Sequence, residues 1–162
     1  MKRKIFTLFL ASVAFAVVVY GAEEQKRKPT TEETVRWLKD NVAFWNDNMK
    51  SVNAGGQRVE FRVTDISYKK GELFVRHDFR FSSNQKILNT HTTRLRLSNI
   101  ERPVQWFNAH GAVTSAITLK ATKRGAIVED GENVPSYRLP CGDAEWGPRC
   151  ASALNRLLEL HP

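Results

Sequence analysis

Two cysteines, Cys141 and Cys150, are the only thiols in the sequence. An even count suits a disulfide in a chain that meets an oxidising compartment. The bridge would tie the loop before a C-terminal helix to that helix's first turn. Closing about ten residues stabilises by roughly 2.5–3 kcal/mol on the chain-entropy account. The spacing is not the two residues of a CxxC redox pair, which argues against thiol catalysis. Four histidines follow: His77, His91, His110 and His161. They share no metal-ligand spacing such as HxxxH, so linear spacing assigns no metal and no cofactor. His77 falls on the apolar side of an alternating pattern and reads as a hydrogen-bonded core or rim histidine. His91 stands among Asn89, Thr90, Thr92 and Thr93 and reads as a polar sheet edge. GxSxG, HExxH and a Gly-rich phosphate loop do not occur, and no catalytic residues are assigned.

Two further groups have binding chemistry. Trp106-Phe107-Asn108-Ala109-His110-Gly111 sets aromatics beside Asn and His. Trp106, Phe107 and His110 are candidates for a binding loop; the bland alternative is aromatics that plug the end of a sheet. Between positions 57 and 97 lie nine Lys and Arg residues against four acids, Glu60, Asp65, Glu72 and Asp78. Arg76, Arg94 and Arg96 are the candidates for a free anion-binding patch on a sheet face. The alternative is a solvated, salt-bridged face, on which exposed pairs contribute only about 0.2–1 kcal/mol each.

These residues need elements to position them. Lys2-Arg3-Lys4 precedes fifteen mostly apolar residues, 5–19. That is the layout of a secretory signal peptide over residues 1–21 and is shorter than the roughly 20 residues of a membrane span. Cleavage is expected after Gly21 or Ala22, giving a periplasmic or secreted protein with no membrane span. Residues 22–29 are polar and charged and read as a flexible tail. Residues 30–162 read as a single α+β domain. The formal charge of +8, less Lys2, Arg3 and Lys4, leaves a mildly basic +5. Together with export, that charge speaks against nucleic acid as a partner.

Thr30 and Glu33 have capping-box spacing. Val35, Leu38, Val42, Trp45 and Met49 recur at helical spacing, which predicts a helix ended by Asn53-Ala54-Gly55-Gly56. The period then becomes two. Strands are expected around Val59, Phe61 and Val63; from Leu73 to Phe81; over 86–98; from Val113 to Leu119; at Ala126-Ile127-Val128; and at Ser136-Tyr137-Arg138-Leu139. Residues 102–111 read as irregular. Gly147-Pro148 opens a second helix, with Cys150, Ala153, Leu154, Leu157 and Leu158 as its apolar stripe. Helix, antiparallel meander of five or six strands, helix is an α+β architecture. In the first hairpin a three-residue loop, Lys69-Lys70-Gly71, sets Phe61 opposite Phe79, Val63 opposite His77, Arg62 opposite Asp78 and Glu60 opposite Arg80.

The opening helix, Thr31-Glu32-Glu33-Thr34-Val35-Arg36-Trp37-Leu38, and the closing helix, Cys150-Ala151-Ser152-Ala153-Leu154-Asn155-Arg156-Leu157-Leu158, resemble those of small uncharacterised exported bacterial proteins. The strand meander with its C-terminal helix resembles a pleckstrin-homology-like barrel. The resemblance implies a curved sheet or small barrel and no activity. The extra N-terminal helix leaves a cystatin-like or NTF2-like curved sheet as the alternative. The expected function is an exported, non-enzymatic binding or interaction module. Its partner would be an anionic cell-envelope component or another envelope protein. The alternative is a small secreted hydrolase with a site near His91, His110 or Asp143.

Overall fold

The structure is a computed structural model that describes residues 27–41, 50–52, 56, 58–107, 116–140 and 145–162. The expected signal peptide and most of the expected tail lie outside these residues, as do Val42, Trp45, Met49, His110, Cys141 and Asp143.

Helix α1 is Thr31–Asp40. The expected capping box forms: Glu33 N–H donates to Thr30 Oγ1 at 3.3 Å, and Thr30 N–H donates to Glu33 Oε2 at 2.8 Å. The described helix ends at Asp40, and the positions that continue its apolar spacing lie outside the described residues. Asn41 turns its side-chain amide back onto the Trp37 carbonyl at 2.8 Å, taking an acceptor at the helix end. Lys50–Val52 is strand β1, not helix, and pairs antiparallel with the next strand, from Lys50 opposite Glu60 to Val52 opposite Arg58.

Strands β2 (Arg58–Lys69), β3 (Glu72–Phe81) and β4 (Ile87–Arg96) form the meander. A 3₁₀ turn, Leu97–Asn99, follows. Trp106–Phe107 is β5 and Ala116–Lys120 is β6. Ile127–Glu129 is β7, Glu132–Asn133 is β8 and Ser136–Pro140 is β9. Helix α2, Trp146–Leu160, follows. One antiparallel sheet runs β1-β2-β3-β4-β7-β8, and a second runs β5-β6-β9. Neither closes on itself among the described strands. An isolated antiparallel bridge between Ile100 and Ala121 ties the chain after the 3₁₀ turn to the end of β6. The architecture is α+β, with antiparallel sheets flanked by the two helices.

The first hairpin keeps the expected register at its far end and departs from it at the turn. Phe61 faces Phe79, Val63 faces His77, Arg62 faces Asp78 and Glu60 faces Arg80. At the turn, however, Lys69 faces Glu72, so the loop is the two residues Lys70-Gly71 and not three. Thr64 reconciles the two. It is the extra residue of a β-bulge between Val63 and Asp65, and it lets Val63 and Ile66 both face inward. The loop residues have φ +50° and +82°, the signs of a type I′ turn. A two-residue loop suits the strand twist best, and the bulge absorbs the residue left over.

The core lies between the sheets and α2. Val63, Ile66, Leu73, Val75, Leu95 and Ile127 come from the first sheet, Ile117, Leu119 and Leu139 from the second, and Leu154, Leu157 and Leu158 from α2. Asn155 docks α2 onto the chain after the 3₁₀ turn. Its amide accepts from Val104 N–H and donates to the Val104 carbonyl, both at 2.9 Å. Leu38 of α1 closes one edge, and Lys39 reaches Asp65 of β2 at 2.8 Å.

Candidate functional site

The inward faces of β3, β4 and β7 meet at a polar cluster beside the core. His77 stands directly opposite His91, and Thr93, two residues on, stands opposite Glu129. Period two then puts His77, His91 and Glu129 on one face. The two imidazoles stack with centroids 5.4 Å apart and planes 15° apart. His77 Nε2 is 3.6 Å from Glu129 Oε1, and its Nδ1 is 3.5 Å from Tyr137 Oη. Phe61 stacks on His77 at 4.4 Å, and Phe79 meets both rings edge-on. The side chain of His77 is 1% exposed, whereas those of His91 and Glu129 are 27% and 34% exposed. The cluster is therefore closed on the core side and open on the other.

Asp130 organises the open side. It occupies the first position of the Asp130-Gly131 turn between β7 and β8, with φ +49°. Its Oδ2 bonds the Nδ1 of His91, and its Oδ1 accepts from Thr92 N–H at 2.9 Å. The backbone bond from Thr92 is the main cause holding this carboxyl below the usual range; burial opposes it, and His91 adds to it. Burial is likewise the largest influence on His77. Aided by neighbouring His91 and opposed by Asp130 and Asp78, it holds the imidazole down at about 4. Burial and the Glu129 charge push the Tyr137 phenol up. At neutral pH the buried floor is a neutral imidazole and a protonated phenol. Thr93 Oγ1 is buried without a well-formed hydrogen bond among the described residues, although it lies close enough to favour the Tyr137 phenolate slightly.

The candidate anion patch lies on the opposite, outward face. Arg94 and Arg96 both converge on Glu72, at 3.8 and 3.2 Å. Arg76 is exposed beside them on β3. Two other ion pairs run along their strands. Arg80 holds Asp78 at 2.7 Å, and Arg62 approaches Glu60 at 4.0 Å. The register is the expected one, but Asp78 accepts across the ladder from Thr90 Oγ1, also at 2.7 Å, which leaves its other oxygen to Arg80. Burial pushes the Asp78 carboxyl up. The Arg80 and Thr90 bonds and the charges of Arg80 and Arg76 outweigh it and hold the group below its usual range.

The aromatic loop divides. Trp106 packs inward against α2, where a Cβ at Gly147 would overlap its indole. Phe107 points the other way, 57% exposed, into a recess of about 280 Å³ with Arg102, Pro103 and Thr118. His110, like Asp143 of the hydrolase alternative, lies outside the described residues. Cys150 is fully buried at the start of α2, and Cys141 lies outside the described residues. His161 packs on Tyr68 at 5.1 Å, and its Nε2 lies 3.2 Å from Thr31 Oγ1.

A groove of about 1000 Å³ lies between α1 and α2. Trp37 and Trp146 form its floor, with centroids 6.4 Å apart, and Pro148 and Ala153 continue it. Arg27, Lys28, Arg149 and Arg156 stand around it against the acids Glu33 and Glu159. Arg149 lies over the Trp146 ring at 5.0 Å.

Neither recess nor cluster is visible in linear spacing. The apolar helical positions Trp37 and Ala153 are legible one by one, but the groove between them arises only when the helices pack. The histidines meet because a hairpin centred near Asn84 sets position 77 against 91. A register argument around Ser82-Ser83-Asn84 is the signal that finds them. No protein-family model, curated protein or solved structure matches the chain.

Proposed function

We propose that this chain is an exported, non-enzymatic binding module that accepts an anionic amphiphile of the cell envelope in the groove between α1 and α2. The observation that carries the reading is the make-up of that groove. Its floor is aromatic and apolar, and its rim holds four cations against two acids. An apolar floor takes a hydrocarbon body, and a cationic rim favours a negative head group. The export signal read from Lys2-Arg3-Lys4 and the apolar run 5–19 would deliver the chain to the compartment where such molecules occur.

The test is tryptophan fluorescence with monomeric dodecanoate, compared with an uncharged dodecyl glycoside of equal chain length. Dodecanoate is expected to change the emission saturably, and Arg149→Ala/Arg156→Ala to weaken its binding about tenfold, an effect that added salt also produces. Equal binding of the two detergents, or none by either, sinks the reading.

A further inference from the structure

Two imidazoles and a carboxylate on three adjacent strands are the donor set of a first-row transition ion. We propose that His77, His91 and Glu129 form a binding site for a divalent cation of the zinc type, independent of the groove between the helices. One ligand atom from each residue lies within 4.8 Å of the others. An ion bonded at about 2.0–2.2 Å spaces its ligand atoms roughly 3.3 Å apart. Side-chain rotation of about an ångström at each donor closes that gap, and the half-exposed His91 and Glu129 have the room to make it.

The outer partners are already in place. A metal-bound histidine characteristically gives its second ring nitrogen to a carboxylate, a carbonyl or another polar group, which fixes the tautomer. Asp130 fills that role on His91: it engages Nδ1 and leaves Nε2 for an ion. Asp130 is itself fixed, by Thr92 N–H through its carboxylate and by its own N–H to the Thr92 carbonyl at 3.1 Å. On His77, Tyr137 Oη stands against Nδ1 while Nε2 faces Glu129.

Phe61 and Phe79 wall the cluster with apolar surface, which strengthens an ion's attraction to Glu129. The open side leaves at least one coordination position to solvent or an exogenous ligand. Two nitrogens and one oxygen suit zinc and its first-row neighbours over calcium or magnesium, which take oxygen sets.

The experiment is competition of the purified protein with a chromogenic chelator for Zn²⁺ in metal-depleted buffer. One zinc per chain is expected. His91→Ala and Glu129→Gln should each weaken binding at least about tenfold, and Asp130→Asn about 10–100-fold through the lost outer bond. His161→Ala, remote from the cluster, should bind as the parent does. Both altered ligands are partly exposed, so the variants are expected to keep the parent's urea midpoint without metal. Zinc should raise the melting temperature of the parent and leave that of His91→Ala unchanged. No zinc bound, or zinc bound as tightly by His91→Ala or Glu129→Gln as by the parent, overturns the site. Dodecanoate binding is read separately, so failure here leaves the groove untouched.

Discussion

His77 is the side chain through which mild acid reaches the core. Its surroundings are Phe61, Phe79 and Tyr137, with His91, Glu129, Asp130 and Asp78 as the charged or titratable groups. Folding lowers its pKa from 6.5 to about 4. Above pH 6.5 neither state holds the proton and the group contributes nothing. As pH falls from 6.5 towards 4, the unfolded chain takes a proton that the folded chain refuses, and stability falls. Below 4 both states are protonated and the loss is complete, on the order of 3 kcal/mol for the metal-free protein. Urea unfolding at pH 7 and at pH 4.5 should show that loss, and His77→Phe should flatten it. Asp78 and Asp130, with carboxyls held below 3.8, act in a separate window. Their stabilisation is present above 3.8 and is lost only at lower pH, so a fall in stability confined to pH below about 3.8 would contradict the role given to His77. Gly147 is a second residue whose type is dictated by a neighbour. Any side chain there enters the Trp106 indole. Gly147→Ala is expected to cost about 1–3 kcal/mol through overpacking, despite alanine's better helix propensity. An unchanged urea midpoint would mean that the indole has room to move.

At the scale of elements, the first hairpin shows how local and long-range preferences were reconciled. The inward positions of β2 and β3 demand that Phe61 meet Phe79, while the turn between them prefers two residues. Thr64 satisfies both by bulging. Lys70 is the weak point of the solution: it holds φ +50°, which Asn adopts more readily than Lys. Lys70→Asn creates the Asn-Gly pair preferred in type I′ turns and is expected to stabilise by about 0.5–1 kcal/mol, raising Tm by roughly 2–4 °C. A lower Tm would place the turn in another geometry. The facing residues were legible in the sequence because alternation marks them directly. The bulge was not, since one extra polar residue leaves the alternation on either side intact. Helix α1 illustrates a different limit. Its start was written in Thr30 and Glu33, but the expected helical end at Asn53 was not, because Lys50–Val52 pair as a strand with the edge of β2. Apolar spacing carried no trace of that pairing.

For the whole molecule, the α+β layout was readable from the change of period from 3.6 to 2 and back. The site was not, because it depends on which strands become neighbours: β7 joins β4 after an excursion through β5 and β6, and only that crossing brings Glu129 to the histidines. The same chain-level view bears on the cysteines. The sequence has two cysteines nine positions apart, and on the proposed export they would meet an oxidising compartment. Cys150 is fully buried in the first turns of α2, near the point where Gly147 packs on Trp106. A bridge from there to Cys141 would pin the residues after β9 to the helix that covers the core. We expect the protein recovered from an oxidising compartment to carry that bridge, with neither thiol alkylated until reductant is added. Opening it should lower stability by roughly 2.5–3 kcal/mol, as expected for a loop of about ten residues. The unfolding midpoint of Cys141→Ser in non-reducing buffer should match that of the parent in reductant, because both have lost the same constraint on the unfolded chain. Two thiols that react with iodoacetamide in denaturant without prior reduction would rule the bridge out.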